Sequence, residues 1–206
     1  MKVLLVNGSP NKNGCTYTAL KEIADQFKKH GIDSEFFHLG KESIAGCISC
    51  RACAKNDGCV LNDDIYNRFI KAASAVDGII LGSPVYYASI NASLGCLLDR
   101  AFYSKSKLFH YKPAAAIVSC RRGGSGSAFD RLNKYFTISN MLVVGSGYWN
   151  HVHGNTPEEV KQDLEGLQIM RALADNMSWV LKMIEHTKDS IALPILEPKQ
   201  RTNFIR

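Results

Sequence analysis

Apolar runs just long enough for a β-strand recur along this chain, at Val3–Val6, Val76–Leu81, Ala114–Val118 and Met141–Val144, with an alternating one at Glu35–Leu39. Between them the apolar residues change to a helical period: Leu20, Ile23, Ala24 and Phe27, then Ile65, Phe69, Ile70 and Ala73, then Ile90, Leu94, Leu97, Leu98 and Ala101. A continuously apolar strand needs cover on both faces, and alternating helices on right-handed crossovers supply it. The pattern therefore predicts an α/β fold, a three-layer sandwich around a five-stranded parallel sheet. One long helix closes the pattern, with Val160, Leu164, Leu167, Ala174, Met177, Leu181 and Ile184 on one face. Thr156 is its expected N-cap, with Pro157 in the first helical position and Glu159 completing a capping box.

Composition narrows the class. A chain of 206 residues that is 46% hydrophobic and 21% charged can bury a full core as one domain without disulfide staples, so disorder and low complexity are excluded. The expected domain is 1–188, with an irregular insertion at 40–64. The tail, 189–206, carries Ile191, Leu193, Ile195 and Leu196 and is expected to pack on this subunit or a neighbour. Long helix and apolar tail together favour a homodimer or homotetramer. The start offers only Val3–Val6 as an apolar run, too short for a signal-peptide core, and no stretch is long enough to span a membrane. A cytoplasmic protein without membrane partners is expected, and in that reducing compartment cysteines serve as ligands, redox groups or buried thiols. The net charge of +6 equals the excess within Ala101–Tyr135, where Lys105, Lys107, Lys112, Arg121, Arg122, Arg131 and Lys134 face Asp130 alone. No nucleic-acid signature accompanies this segment, so a solvated face or an acidic protein partner is the expectation.

In a doubly wound sheet the ligand sits outside the carboxyl ends of the strands, where strand order reverses. The loop after the first strand, GSPNKNGCTYT from Gly8 to Thr18, gathers hydroxyls, amides and glycines before a helix N-terminus and suits a phosphate. It is neither a Walker A loop nor GxGxxG, which disfavours nucleoside triphosphates and a Rossmann-bound dinucleotide. The loop after the third strand, GSPVYYASIN from Gly82 to Asn91, offers a Pro-Tyr-Tyr wall for a flat ring. After the fourth strand, SCRRGGSGS from Ser119 to Ser127 lets backbone approach a ligand edge beside two guanidiniums. Together these loops describe a flat ring on a phosphorylated chain.

The sharpest motif is Cys47-x2-Cys50-x2-Cys53-x5-Cys59. Three thiols at every third residue converge only if the backbone coils tightly, and a fourth just past Gly58 closes the shell. That compactness fits a [4Fe–4S] cube better than zinc, whose sites favour two separated CxxC knuckles, while zinc and unliganded or disulfide-forming thiols stay open as alternatives. His151-x-His153 is a possible metal pair without a nearby third ligand, and reads better as a polar loop at the ligand mouth.

GSPNKNGCTYTA, CVLNDD, VDGIILGSPVYYASINASLGCLLDR, the glycine-rich loop and GYWNHVHG together resemble the NADPH-dependent FMN reductase-like branch of the flavodoxin superfamily. With the cysteine run, the chain is most similar to its iron–sulfur flavoproteins. The resemblance implies a flavodoxin-like sheet of order 2-1-3-4-5 with the cysteine-rich insertion after strand 2. It implies that Ser9, Asn11, Lys12, Gly14, Thr16 and Thr18 hold the FMN phosphate. Pro84, Val85, Tyr86 and Tyr87, with Ser89 and Asn91 nearby, flank the ring and ribityl chain, and Ser119, Arg121, Gly123 and Gly124 meet the pyrimidine end. Cys47, Cys50, Cys53 and Cys59 carry the cluster. The expected function is an FMN-dependent oxidoreductase that passes electrons between a ferredoxin-like acidic carrier or NAD(P)H and a small acceptor. Two further readings stand beside it, an NAD(P)H-dependent FMN or quinone reductase without a functional cluster, and a non-catalytic flavin carrier or redox sensor.

Overall fold

A computed structural model describes every residue except 62, 203 and 206, so one position of the insertion and two of the tail lie outside the description. Strands β1 (Lys2–Asn7), β2 (Asp33–His38), β3 (Gly78–Pro84) and β4 (Pro113–Cys120) alternate with helices α1 (Cys15–Lys29), α2 (Asp64–Ser74) and α3 (Ala92–Ser104). Then follow α4 (Ser125–Ile138), β5 (Leu142–Val143), β6 (His151–His153), α5 (Pro157–Val160) and α6 (Leu164–Thr187). The sheet is parallel, in the order β2-β1-β3-β4-β5, with β6 also paired to β4. This is the expected α/β architecture with strand order 2-1-3-4-5.

Strand alternation divides the core into two layers. Leu4, Val6, Ile79, Leu81, Ala114, Ala116 and Val118 face α2, α3 and α4. Val3, Leu5, Ile80, Ala115 and Ile117 face α1 and α6. Every residue of β4 is buried, as a central strand covered on both faces requires. Helix α6 is also tied to α1 by polar contacts: Arg171 to Glu22 at 2.5 Å, and Asp175 to Gln26 and His30, each at 2.6 Å. Lys112, counted above as a basic-face cation, turns inward and donates to Ala73 O (2.7 Å) and Val76 O (2.8 Å).

Two sequence expectations change. The fifth strand is broken: β5 pairs with Pro113 and Ala114, β6 with Val118 to Cys120, and the GSGYWN segment loops out between them. Asn150 repairs the gap by donating from Nδ2 to Ala116 O (2.9 Å) and accepting through its own carbonyl from Val118 N (3.0 Å). His151 and His153 therefore lie on a strand, not in a loop. Second, the Thr156 cap forms, accepting from Glu159 N at 3.2 Å, but it starts only the single turn α5. The long helix begins at Leu164 because Asp163 accepts from both Gly166 N (2.9 Å) and His153 N (2.7 Å) and imposes a new start. In the tail the side chains of Ile191, Leu193, Ile195 and Leu196 are exposed, while Pro194 O accepts from Tyr111 Oη at 3.5 Å. Among the described residues no helix is long and apolar enough to cross a membrane.

Candidate functional site

At the carboxyl ends of β1, β3 and β4 the three predicted loops meet. Gly8 and Gly82 permit the first contact: Gly8 N donates to Gly82 O (2.8 Å), and a Cβ on Gly8 would lie 2.6 Å from the Leu94 side chain. Asn91 caps α3 through its side-chain oxygen and donates from Nδ2 to Gly8 O (2.7 Å), locking the loop after β3 to the loop after β1. Val85 N donates to Ser119 O (3.0 Å), joining the loop after β3 to the end of β4. Thr16 on α1 and Ser119 on β4, both buried, share a hydroxyl hydrogen bond at 2.8 Å.

Within the first loop the backbone is wound by its own polar groups. Asn7 Oδ1 accepts from Ser9 N (3.1 Å), Asn7 Nδ2 donates to Lys12 O (3.0 Å), and Ser9 Oγ accepts from Asn11 N (3.1 Å). The Ser9 hydroxyl proton is thereby left to donate elsewhere. Helices α2, α3, α5 and α6 are capped by Asp63, Asn91, Thr156 and Asp163. Helices α1 and α4 start instead on Gly14 and Gly124, and neither draws a side-chain cap among the described residues. Both bare helix N-termini open into predicted ligand loops, where their N–H groups and dipoles favour an anion. An open cavity of about 560 Å³ runs beside α1 between Asn11, Lys12, Gly14, His38 and Asn155.

The aromatic wall is a tight turn. Tyr86 and Ser89 exchange both backbone hydrogen bonds at 2.9 Å, which places Tyr87 (φ +49°) and Ala88 (φ +57°) in the left-handed region. Tyr86 is 43% exposed and Tyr87 wholly so. Gly124, at φ +84°, lies so close under this turn that a Cβ there would meet Ala88 Cα at 2.8 Å. Arg121, Arg122 and Gly123 are exposed at the same rim.

The structure thus brings Ser9, Asn11, Lys12, Gly14, Thr16, Pro84–Tyr87, Ser119 and Gly123–Gly124 to one end of the sheet. Thr18 donates back to Gly14 O (3.1 Å) and Ser89 and Asn91 close the turn and cap, so these three act through the loops' shape. Asn7 and His38 went unpredicted, although His38 Nε2 lies 3.0 Å from Ser9 O. The signal was available, because His38 ends a strand and the rule of carboxyl ends covers it. Cys15 contacts Gly154 O at 3.7 Å, and burial pushes its thiol, like that of Cys120, above the ordinary value despite the helix start. The His151 ring lies between Phe129 and Trp149, and burial, then the neighbouring His153, holds it below the usual histidine value and so neutral at pH 7.

The insertion forms the second centre. Ser49 (φ +55°) and Arg51 (φ +57°) adopt left-handed backbone between the cysteines, and Ala52–Ala54 makes one 3₁₀ turn. That is the tight coiling the spacing required. Cys47, Cys50, Cys53 and Cys59 all line one small cavity, of about 20 Å³, closed by Leu61 and Arg100. It has room for about one water, so admitting anything larger requires the loop to spread. Among the described residues no group of three His, Cys, Asp or Glu side chains is drawn together tightly enough to hold a metal ion. The loop is fastened by groups the sequence reading did not single out. Tyr66 Oη accepts from Cys59 N (3.1 Å), Lys105 pairs with Asp57, and Arg100 donates to Asp63 (2.8 Å), Ala45 O (3.3 Å) and Leu61 O.

Residues 1–156 match the family described as NADPH-dependent FMN reductase. An iron-sulfur flavoprotein of Methanocaldococcus jannaschii is 32% identical over 196 residues, covering 90% of this chain and 100% of that protein. An iron-sulfur flavoprotein of Methanosarcina thermophila is 29% identical over 193 residues, covering 92% and 100%. Among solved structures, an archaeal flavodoxin superposes with a TM-score of 0.59 at 14% identity, covering 88% of this chain and 99% of its own, a likeness of fold.

Proposed function

The chain belongs to the NADPH-dependent FMN reductase family and is a flavin-dependent oxidoreductase, and on that premise we propose that it works as an iron–sulfur flavoprotein. In this reading electrons pass between NAD(P)H or a ferredoxin-like acidic carrier and a small acceptor, through FMN at the sheet end and a [4Fe–4S] cluster in the insertion. The observation that carries the cluster is the shared cavity of Cys47, Cys50, Cys53 and Cys59. A cluster-free reductase leaves that grouping of four thiols, and the guanidinium buried beside it, without a purpose.

The loops fit FMN, and the insertion supplies four thiols as a donor set that must draw closer than they stand to hold a cluster. For FMN, the bare N-terminus of α1, the spare proton of Ser9 and the charge of Lys12 supply donors for a phosphate. Thr16 and Ser119 use one proton between them and leave the second for a ligand oxygen. The Tyr86–Ser89 turn and the backbone of Gly123 and Gly124 give a flat ring a wall and an edge. When bound, FMN supplies a ring that takes hydride or single electrons, and a cluster supplies one-electron exchange. The chain itself needs no acid–base pair; it orients the ring and sets the charge around it. Arg121 and Arg122 at the rim attract an anionic donor. Of the seven cations in Ala101–Tyr135, Lys105, Lys112 and Arg131 are bonded to Asp57, backbone carbonyls and Asp99, while Lys107, Arg121, Arg122 and Lys134 are exposed. Those four exposed cations are available to an acidic carrier.

The test is absorption and iron and sulfide analysis of protein purified and reconstituted without oxygen, followed by turnover with NAD(P)H, with and without ferredoxin. The proposal expects two flavin bands, a broad shoulder that bleaches on reduction, and about four irons per chain. Fewer than about one iron per chain would return the chain to the cluster-free reductase.

A further inference from the structure

Among the described residues Arg100 is the only buried one that carries a formal charge, at 1% exposure. Its guanidinium has five N–H donors. Nη1 donates to Asp63 (2.8 Å) and Ala45 O (3.3 Å), Nη2 to Leu61 O, and the guanidinium carbon stands 5.1 Å from the centre of the Tyr66 ring. Nε is buried and has no acceptor among the described residues. An orphaned donor on a buried cation is costly, and an apolar side chain would fill the same space without that cost. The place where the orphan occurs is informative, because Arg100 shares its cavity with all four cysteines of the insertion. Four thiolates around iron and sulfide make an anionic centre, which is what an unpaired N–H⁺ lacks.

We propose that Arg100 is a positioning residue for the cluster: its Nε–H donates to a cluster-borne sulfur at this cavity, and its charge holds the cluster's reduction potential up. This rests on the reading that the cavity holds a [4Fe–4S] cluster. The remaining guanidinium bonds fix the donor's direction by tying Ala45 and Leu61, on either side of the cysteines, to α3. The electron balance is simple. Reduction adds one electron and no proton to the cluster; in the assay dithionite supplies the electron, and the guanidinium stays protonated and offsets the added negative charge. Removing the charge makes the same reduction harder.

The experiment uses full-length protein reconstituted anaerobically with iron and sulfide. Protein grown on arginine labelled with ¹⁵N in the guanidino group is reduced with dithionite and measured by pulsed EPR. A ¹⁵N coupling to the reduced cluster is expected, persisting in Arg51→Lys, which removes the other arginine at this cavity. In parallel, Arg100→Gln should lower the reduced-to-oxidised ratio at the wild-type midpoint about tenfold, or about 59 mV for a one-electron couple. Arg100→Lys, which keeps the charge and loses Nε, should change that ratio less than Arg100→Gln does. FMN content serves as the folding control in every variant. A loaded wild-type cluster with no arginine coupling, or a coupling lost in Arg51→Lys, overturns the proposal and leaves the cluster reading intact. So does Arg100→Gln that keeps both its iron and the wild-type midpoint. Should Arg100→Gln not fold, the coupling in the wild-type chain decides. A wild-type chain that takes up less than about one iron overturns both readings.

Discussion

Replacing Gly124 with alanine tests whether the rim of the proposed flavin site is held together by backbone contact. Gly124 has φ +84°, and a Cβ there would stand 2.8 Å from Ala88 Cα, 3.1 Å from Ala88 Cβ and 3.2 Å from Val85 Cγ1. The left-handed conformation alone costs an L-residue about 1–2 kcal/mol. The overlap adds about 1–3 kcal/mol, because the obstacle is backbone in a turn closed by two hydrogen bonds between Tyr86 and Ser89. The FMN-free variant should therefore lose about 2–5 kcal/mol in urea unfolding, and its Tm should fall by about 2–4 °C for each of these. If the turn recedes instead, the cost reappears as weaker FMN binding, tenfold for about every 1.4 kcal/mol, measured by quenching of flavin fluorescence. A variant within about 0.5 kcal/mol of wild type, with FMN affinity also unchanged, refutes the reasoning that these two loops support each other.

Three further outcomes are expected. Ser9→Ala with Thr16→Ala should weaken FMN binding by about 1–3 kcal/mol in total, through loss of hydrogen bonds to a charged group; an unchanged Kd would place the phosphate elsewhere. Lys112→Met strips the donor from Ala73 O and Val76 O and should cost about 1–3 kcal/mol, read as a lower urea midpoint with an unchanged slope. Burial holds the folded His151 below its ordinary value of 6.5, so the unfolded chain takes that proton first. The associated stability is complete above about pH 6.5 and is lost as pH falls through the folded value, and His151→Gln should flatten that part of the urea-midpoint profile between pH 8 and pH 5.

The sheet was legible because its signal is local: β1, β3 and β4 each centre on an apolar run, Val3–Val6, Ile79–Leu81 and Ala114–Val118, buried on both faces. The break between β5 and β6 was not, since it depends on Asn150 reaching across to Ala116, a contact between residues 34 apart that no local pattern encodes. The start of α6 failed for the same reason. Thr156, Pro157 and Glu159 form a sound cap, but Asp163 is recruited by His153 on another element and overrides it. At the site, hydroxyls and glycines announced the loops, whereas Asn7, His38 and Arg100 looked like ordinary strand-end and helix residues. What distinguishes Arg100 is that it is buried with one donor unmet, and burial of a charge is invisible until the insertion is folded over it.

The fastening of the insertion by Arg100 also sets an order of events in biosynthesis. Leu61 and Ala45 are bonded to a residue 39 and 55 positions further along the chain. A ribosome adding about 5–20 residues per second exposes the cysteine segment for several seconds before its anchor exists. Helix α3 must then dock on the sheet before the segment has anything to close upon. On the proposed iron–sulfur reading, cluster assembly follows the synthesis of α3, about half-way along the 206-residue chain, and until then the thiols depend on the reducing power of their surroundings and not on the fold for their protection.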